Sequence, residues 1–182
     1  FFYNDEEIQR SSMAAMHEIG HILGFNALSM AYFRDPDTGE PLTPRDENGD
    51  VPNVEVECTG IAPTTTSMIP LPSEDIIQFQ TVRGGIRVAT VVTPTVRRVA
   101  RNMFGCQSLL GAELQSGEGQ ETFIQPDHAA NNELQLSPGE CIGDHWQRIL
   151  FRKDLMNPVM DDVSYSLYIS PLTLAYFKDC GW

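Results

Sequence analysis

No run in this sequence is long and apolar enough to span a bilayer, and no basic-then-apolar leader opens it. The expectation is a chain with neither its own membrane anchor nor a targeting signal. Basic residues are scarce: 12 Lys and Arg stand against 25 Asp and Glu, a formal charge of -13. A field of that sign repels polyanions, which argues against nucleic acid as a partner. No two cysteines form a Cys-x-x-Cys pair, which argues against a structural zinc knuckle. The four present, Cys58, Cys106, Cys141 and Cys180, are an even, scattered set. Such a set fits two disulfides in an oxidising compartment, the alternative being four buried thiols in a cytosolic protein. There is no internal repeat. Apolar material is not lacking, since 182 residues at 41% hydrophobic suffice for about one domain with a sizeable core.

What is present centres on His17-Glu18-Ile19-Gly20-His21-Ile22-Leu23-Gly24. Helical positions four apart lie one above the other, so His17 and His21 present their rings from one face at a separation that one metal ion can bridge. Glu18 sits one step around the helix, near the ion without having to be a ligand. Imidazole suits zinc, and two such ligands with a neighbouring carboxylate describe hydrolytic chemistry in which Glu18 takes the proton of an acidified water.

The helix carrying this motif is expected to start between residues 5 and 12, with Asp5 and the serines as candidate caps, and to end at or just after Gly24. Met13, Met16, Ile19, Ile22 and Leu23 are its expected core face. Residues 34–53 are loop chemistry. Asp46, Asn48, Asp50 and Glu57 fall at calcium-loop positions, but Val51 stands where such a loop needs glycine. Alternation at 53–58 predicts a short strand, and the proline-bounded segment 63–72 a break. Residues 76–82 and 86–92, around Arg83-Gly84-Gly85, predict a hairpin. Thr93-Pro94 opens a helix over 94–104 whose Arg97, Arg98 and Arg101 form a solvated basic stripe. Residues 111–139 are expected as a surface excursion. Ser170 caps, Pro171 starts and Gly181 stops a last helix.

Zinc hydrolases keep three protein ligands and leave one position for water. The contiguous metzincin signature would place a third histidine three residues beyond Gly24, where Ala27 stands. His128, in a loop without apolar anchoring, and His145, followed by Trp146 and eleven residues later by Met156, are the remaining histidine candidates. A thermolysin-like glutamate ligand would need a helix soon after residue 24, which the proline-broken segment there does not offer.

Taken together, residues 17–25, the Gly105-to-Leu114 block, Asp144-His145-Trp146 with Arg148, Asp154-Leu155-Met156-Asn157-Pro158 and the Leu172-to-Trp182 ending resemble the leishmanolysin family of metzincin metalloproteases. That family interrupts the zinc signature with an insertion after the glycine. The resemblance implies an α+β, metzincin-like catalytic domain, as a fragment of a longer precursor. Residues 1–25 would carry the active-site helix, 26–144 the inserted mixed segment, and 145–182 the third ligand, the methionine turn and a C-terminal helix. It implies Zn2+ held by His17, His21 and His145, Glu18 as the general base, and Met156 as the methionine of the turn, with Met160 as the competitor. It also implies disulfides, an extracellular or cell-surface location, and protein or peptide substrates. Some members are linked to adhesion, and membrane association would belong to the full-length protein. Tyr165 or Tyr168 is a candidate for holding the transition state, packing being the alternative, and residues 159–166 would shape the substrate pocket. The rival from another class is an inactive adhesion or binding module in which zinc is structural.

Overall fold

A computed structural model of the chain describes residues 4–58, 65–115, 134–136, 144–158 and 167–181. The first helix, α1, spans Asp5–Ile22. Its cap is Asn4, ahead of the expected Asp5 and serines. The Asn4 side chain accepts from the Glu7 N–H at 2.8 Å and the Glu7 carboxylate accepts from the Asn4 N–H at 3.0 Å. Two of the donors that a helix start leaves orphaned are thereby satisfied reciprocally. The helix stops because Gly24, at φ 109°, takes a backbone conformation that other residues avoid. A four-residue helix, α2 (Ala27–Met30), follows under an Asn26 cap.

The expected core face of α1 is a correction. Met13 packs partly against the core, but Met16, Ile19, Ile22 and Leu23 are 43%, 50%, 82% and 59% exposed. The buried face instead carries His17 and Gly20. Apolar periodicity marks an amphipathic helix, but burial requires a partner, and the described residues place theirs on the histidine side.

Among the described residues, six strands form two small sheets. In the first, β1 (Asn53–Cys58) pairs antiparallel with β2 (Thr65–Pro70) and parallel with β6 (Leu134–Leu136). β2 lies where a break was expected: its proline sits at the strand's last position, where it interrupts no ladder. In the second, β3 (Ile77–Val82) and β4 (Ile86–Val91) form the expected hairpin, and β5 (Ala112–Glu113) adds to β4. The hairpin turn holds Arg83, Gly84 and Gly85 at φ 45°, 79° and 124°. Three successive left-handed residues are tolerable because two of them lack a Cβ.

Helix α3 (Pro94–Phe104) has the predicted bounds, with a difference at its cap. Thr93 makes no side-chain cap bond, and Asp179 does that work from the other end of the chain. One Asp179 carboxylate oxygen accepts from the N–H groups of Thr95 (2.7 Å) and Val96 (3.0 Å). The arginine stripe of α3 is not merely solvated, since Arg97 and Arg101 donate to the carbonyls of Leu110 and Leu109. The last helix, α4 (Pro171–Asp179), starts under the predicted Ser170 cap, whose hydroxyl accepts from Leu172 and Thr173.

Between α1, the β3–β4–β5 sheet and the two later helices lies one aromatic core. Phe25, Phe33, Trp146 and Tyr176 are at most 1% exposed, and Phe25 packs on Tyr176 with ring centroids 4.3 Å apart. Each such side chain contributes about 1.5–3 kcal/mol by leaving water. The Tyr176 hydroxyl donates to the Gly24 carbonyl at 2.9 Å, pinning the exit of α1 to α4.

Among the described residues, the expected pair of disulfides is not found. Cys106 and Cys180 are thiols, and Cys180 donates to the Phe177 carbonyl at 2.8 Å. His128, Cys141, Met160, Tyr165 and the expected pocket residues 159–166 lie outside the described residues. In the 46–50 loop, Asp46 accepts from the N–H groups of Asn48 and Asp50, so its carboxylate closes the turn itself. Among the described residues, no helix is long and apolar enough to cross a membrane.

Candidate metal centre

His17 and His21 lie one turn apart on α1. Their Nε2 atoms are 3.0 Å apart, with the rings edge to face at 86°. His145 comes from far along the chain, carried by a backbone segment laid against the edge of β5. The Gln115 N–H donates to the His145 carbonyl at 2.8 Å, the Gln147 N–H donates to the Glu113 carbonyl at 2.9 Å, and Leu114 and Trp146 bridge between them. This pairing brings the His145 Nε2 to 3.2 Å from that of His17. The candidate ligand atoms of the three residues all lie within 4.8 Å of one another. Among the described residues this is the only trio of His, Cys, Asp or Glu side chains so gathered, and no glutamate is in it. The thermolysin-like arrangement therefore has no third donor among the described residues.

The outward nitrogens decide what the inward ones can do. The His17 Nδ1 faces the Leu155 carbonyl at 2.6 Å, and the His21 Nδ1 faces the Phe25 carbonyl at 2.8 Å. A carbonyl only accepts, so each Nδ1 donates outward and each Nε2 is the nitrogen turned inward. For His145, burial, then the neighbouring His21 and His17, lower the pKa to about 4 and hold the ring neutral. Lone pairs about 3 Å apart repel unless something electron-poor lies between them. Two imidazoles on a tetrahedral zinc at bond lengths of about 2.0–2.1 Å would have their nitrogens ~3.3 Å apart, close to the separations found here. The donor set and the carbonyl partners fit a zinc ion.

Met156 lies under this centre. It is fully buried, and a Cβ built on Gly20 would stand 2.5 Å from its sulfur. Gly20, between the two helical histidines, is thus bare because the methionine occupies the space a side chain would need. The Met156 carbonyl accepts from the Trp146 N–H at 3.0 Å, tying this turn to the His145 segment. Glu18 is exposed on α1 beside His17. Tyr168 joins only through its backbone, accepting from Leu155 and donating to Lys153, and its ring is 49% exposed.

Sequence reasoning missed three parts of this centre: the Leu155 and Phe25 carbonyls and the Asp154 carboxylate. Asp154, 3% exposed, accepts from the Met156 N–H at 2.7 Å, from the Ser170 hydroxyl, and from the Thr173 hydroxyl at 2.8 and 2.9 Å. Thr173 in turn accepts from the Trp146 indole N–H at 2.9 Å. The carbonyls leave no trace in a sequence. The aspartate does, because an Asp two positions before the residue it must hold is the signature of a side chain closing a turn on its own backbone.

The leishmanolysin family pattern matches residues 4–182 of the chain. A leishmanolysin-like peptidase of Caenorhabditis briggsae is 30% identical over 98% of the chain, and that of Caenorhabditis elegans is 29% identical over 98%. A leishmanolysin-like peptidase of Drosophila pseudoobscura pseudoobscura is 29% identical over 97%. The chain spans under a quarter of the length of these relatives, 23%, 23% and 22%. No solved structure matches it. With a match running from the cap of α1 to the final residue, the chain belongs to the leishmanolysin family of peptidases.

Proposed function

We propose that these residues form the catalytic centre of a zinc-dependent endopeptidase, with His17, His21 and His145 as ligands, Glu18 as general base and Met156 as the floor. The observation that carries this is the convergence of three Nε2 atoms while two of the opposite Nδ1 atoms are fixed on backbone carbonyls. When bound, zinc supplies a Lewis acid that acidifies a water and polarises a carbonyl. The carbonyls of Leu155 and Phe25 keep two imidazoles in the ligating tautomer. Glu18, exposed beside them, takes a proton from the attacking water and hands it to the leaving amine. The substrate is a protein or peptide, as the relatives' name suggests. The reading includes a metzincin-like arrangement, with 1–25, 26–144 and 145–182 serving as active-site helix, insertion and third-ligand region of one catalytic domain. It also includes an extracellular or cell-surface setting for the full-length protein.

Metal analysis and peptide digestion by the full-length protein test this. Glu18→Gln is expected to retain one zinc per chain while turnover falls about 10²–10⁴-fold, the usual worth of a positioned proton carrier. Near-normal cleavage by that variant would remove Glu18 from its role. Zinc retained by an unsubstituted protein that cleaves nothing would favour the rival in which the ion is structural.

A further inference from the structure

We infer that Asp154 is a positioning residue of the metal centre: by holding the Leu155–Met156 turn it sets the direction of the carbonyl that fixes the ring of His17. The inference rests on the zinc reading above and goes beyond it to a group that touches neither metal nor substrate.

The geometry runs through a connected set of hydrogen bonds. The Asp154 carboxylate accepts from the Met156 N–H at 2.7 Å, closing a turn on itself. That turn aims the intervening Leu155 carbonyl at the His17 Nδ1, 2.6 Å away, and offers the Met156 carbonyl to the Trp146 N–H next to His145. The carboxylate is in turn fixed by Ser170, the cap of α4, and by Thr173 in that helix's first turn. Thr173 also accepts from the Trp146 indole, so both the His17 and the His145 sides of the site are referred to one buried carboxylate. Burial alone drives the Asp154 pKa up, and the Ser170, Met156 and Thr173 hydrogen bonds oppose it. A buried carboxylate is costly unless it is paired, and two of these bonds, to the Met156 N–H and to Thr173, lead to groups that orient the site.

The test is zinc affinity of the full-length protein by chelator competition, together with the ligand-field spectrum after cobalt(II) substitution. Loss of an outer partner to a metal-bound histidine costs about 10–100-fold in metal affinity. Asp154→Asn and Thr173→Val are each expected to weaken zinc in that range and to shift the cobalt bands, since the His17 ring is freed to turn. Thr173→Ser, which keeps the hydroxyl, is expected to recover most of the loss. A purely structural Asp154 would lower the melting temperature while leaving cobalt band positions and zinc competition unchanged, and that result overturns the inference. If Asp154→Asn does not fold, Thr173→Val and Ser170→Ala each remove one donor and decide the matter by the same two measurements. Absence of zinc from the unsubstituted protein overturns the metal reading and this inference together. Normal zinc in the unsubstituted protein with unaltered variants overturns this inference alone.

Discussion

The two faces of α1 differ in what they bury. One carries His17 at 9% exposure and Gly20, pressed on Met156. The other carries Met16, Ile19, Ile22 and Leu23, all more than 40% exposed. Composition alone would reverse them, burying the isoleucines and leaving the histidines in water. The polar face is the buried one because its groups have partners. His17 has the Leu155 carbonyl and His21 has the Phe25 carbonyl. A buried polar group costs free energy only while it is unpaired. An exposed leucine or isoleucine forgoes its burial but violates nothing. The lesson is that the helix is oriented by where specific bonds can be made, and not by where most apolar area could be hidden.

The sharpest way to break the comparison is to fill the buried face. Gly20→Val places a branched side chain where the Met156 sulfur would lie 2.5 Å from its Cβ, and Met156 is fully enclosed. Overpacking of this kind costs about 1–3 kcal/mol. Here it also displaces the turn that carries the Leu155 carbonyl. The expected outcome for the full-length protein is a lowered denaturant midpoint together with at least tenfold weaker zinc binding by chelator competition. Gly20→Ala is expected to show the same pair of effects, each smaller, because a thioether end can shift by a few tenths of an ångström. A Gly20→Val protein as stable and as zinc-avid as its parent would mean that the methionine is not fixed there.

A smaller effect comes from protons on the buried face. In metal-free protein His145 stays neutral down to about 4, against an ordinary value of 6.5. Between these values the unfolded chain binds a proton that the folded chain refuses. Stability therefore rises with pH across this window and is lost as pH falls through it. The expected result is a urea midpoint for the chelator-treated protein that declines steadily from about pH 6.5 to about 4, beyond what its carboxylates contribute. Replacing His145 by Gln should flatten that part of the profile. Zinc should hold the midpoint up at the top of the window and lose its hold lower down, because protons and metal compete for the same lone pairs.

What could be read in advance divides along the same line between local and distant causes. Helices α3 and α4 and the β3–β4 hairpin were legible because Pro94, Pro171 and Gly84-Gly85 fix the backbone by their own covalent structure. β2 was not, because a proline-bounded segment is a strand only when a neighbour such as β1 supplies the ladder. The cap of α3 came from Asp179 rather than Thr93 for a similar reason: an acceptor about eighty residues away has no local signature. In the site, His17, Glu18 and His21 were written in one motif. His145 reached the reading through family resemblance, since the pairing of Gln115 with His145 that delivers it cannot be seen in either segment alone. The exposed flank of α1 was misread because periodicity states that a helix has two faces and is silent on which of them meets the rest of the chain.

The smallest expected effect tests the exposed flank directly. Ile22 is 82% exposed at the last position of α1, and its side chain adds little to the core cluster that holds Phe25, Met156 and Tyr176. Lysine has a helix propensity at least equal to that of isoleucine, and its charge lies where a helix end favours a cation. Ile22→Lys is therefore expected to change the stability of the full-length protein by no more than about 0.5 kcal/mol, the ordinary range for surface substitutions. Zinc competition should be unmoved, even though the substitution adjoins His21 in sequence. The contrast with Gly20→Val, two residues away on the same helix, is then several-fold in free energy and at least tenfold in metal affinity. A loss at Ile22 as large as that at Gly20 would mean that both flanks of α1 are packed in the full-length protein, and that the helix is oriented by enclosure rather than by the bonds of its histidines.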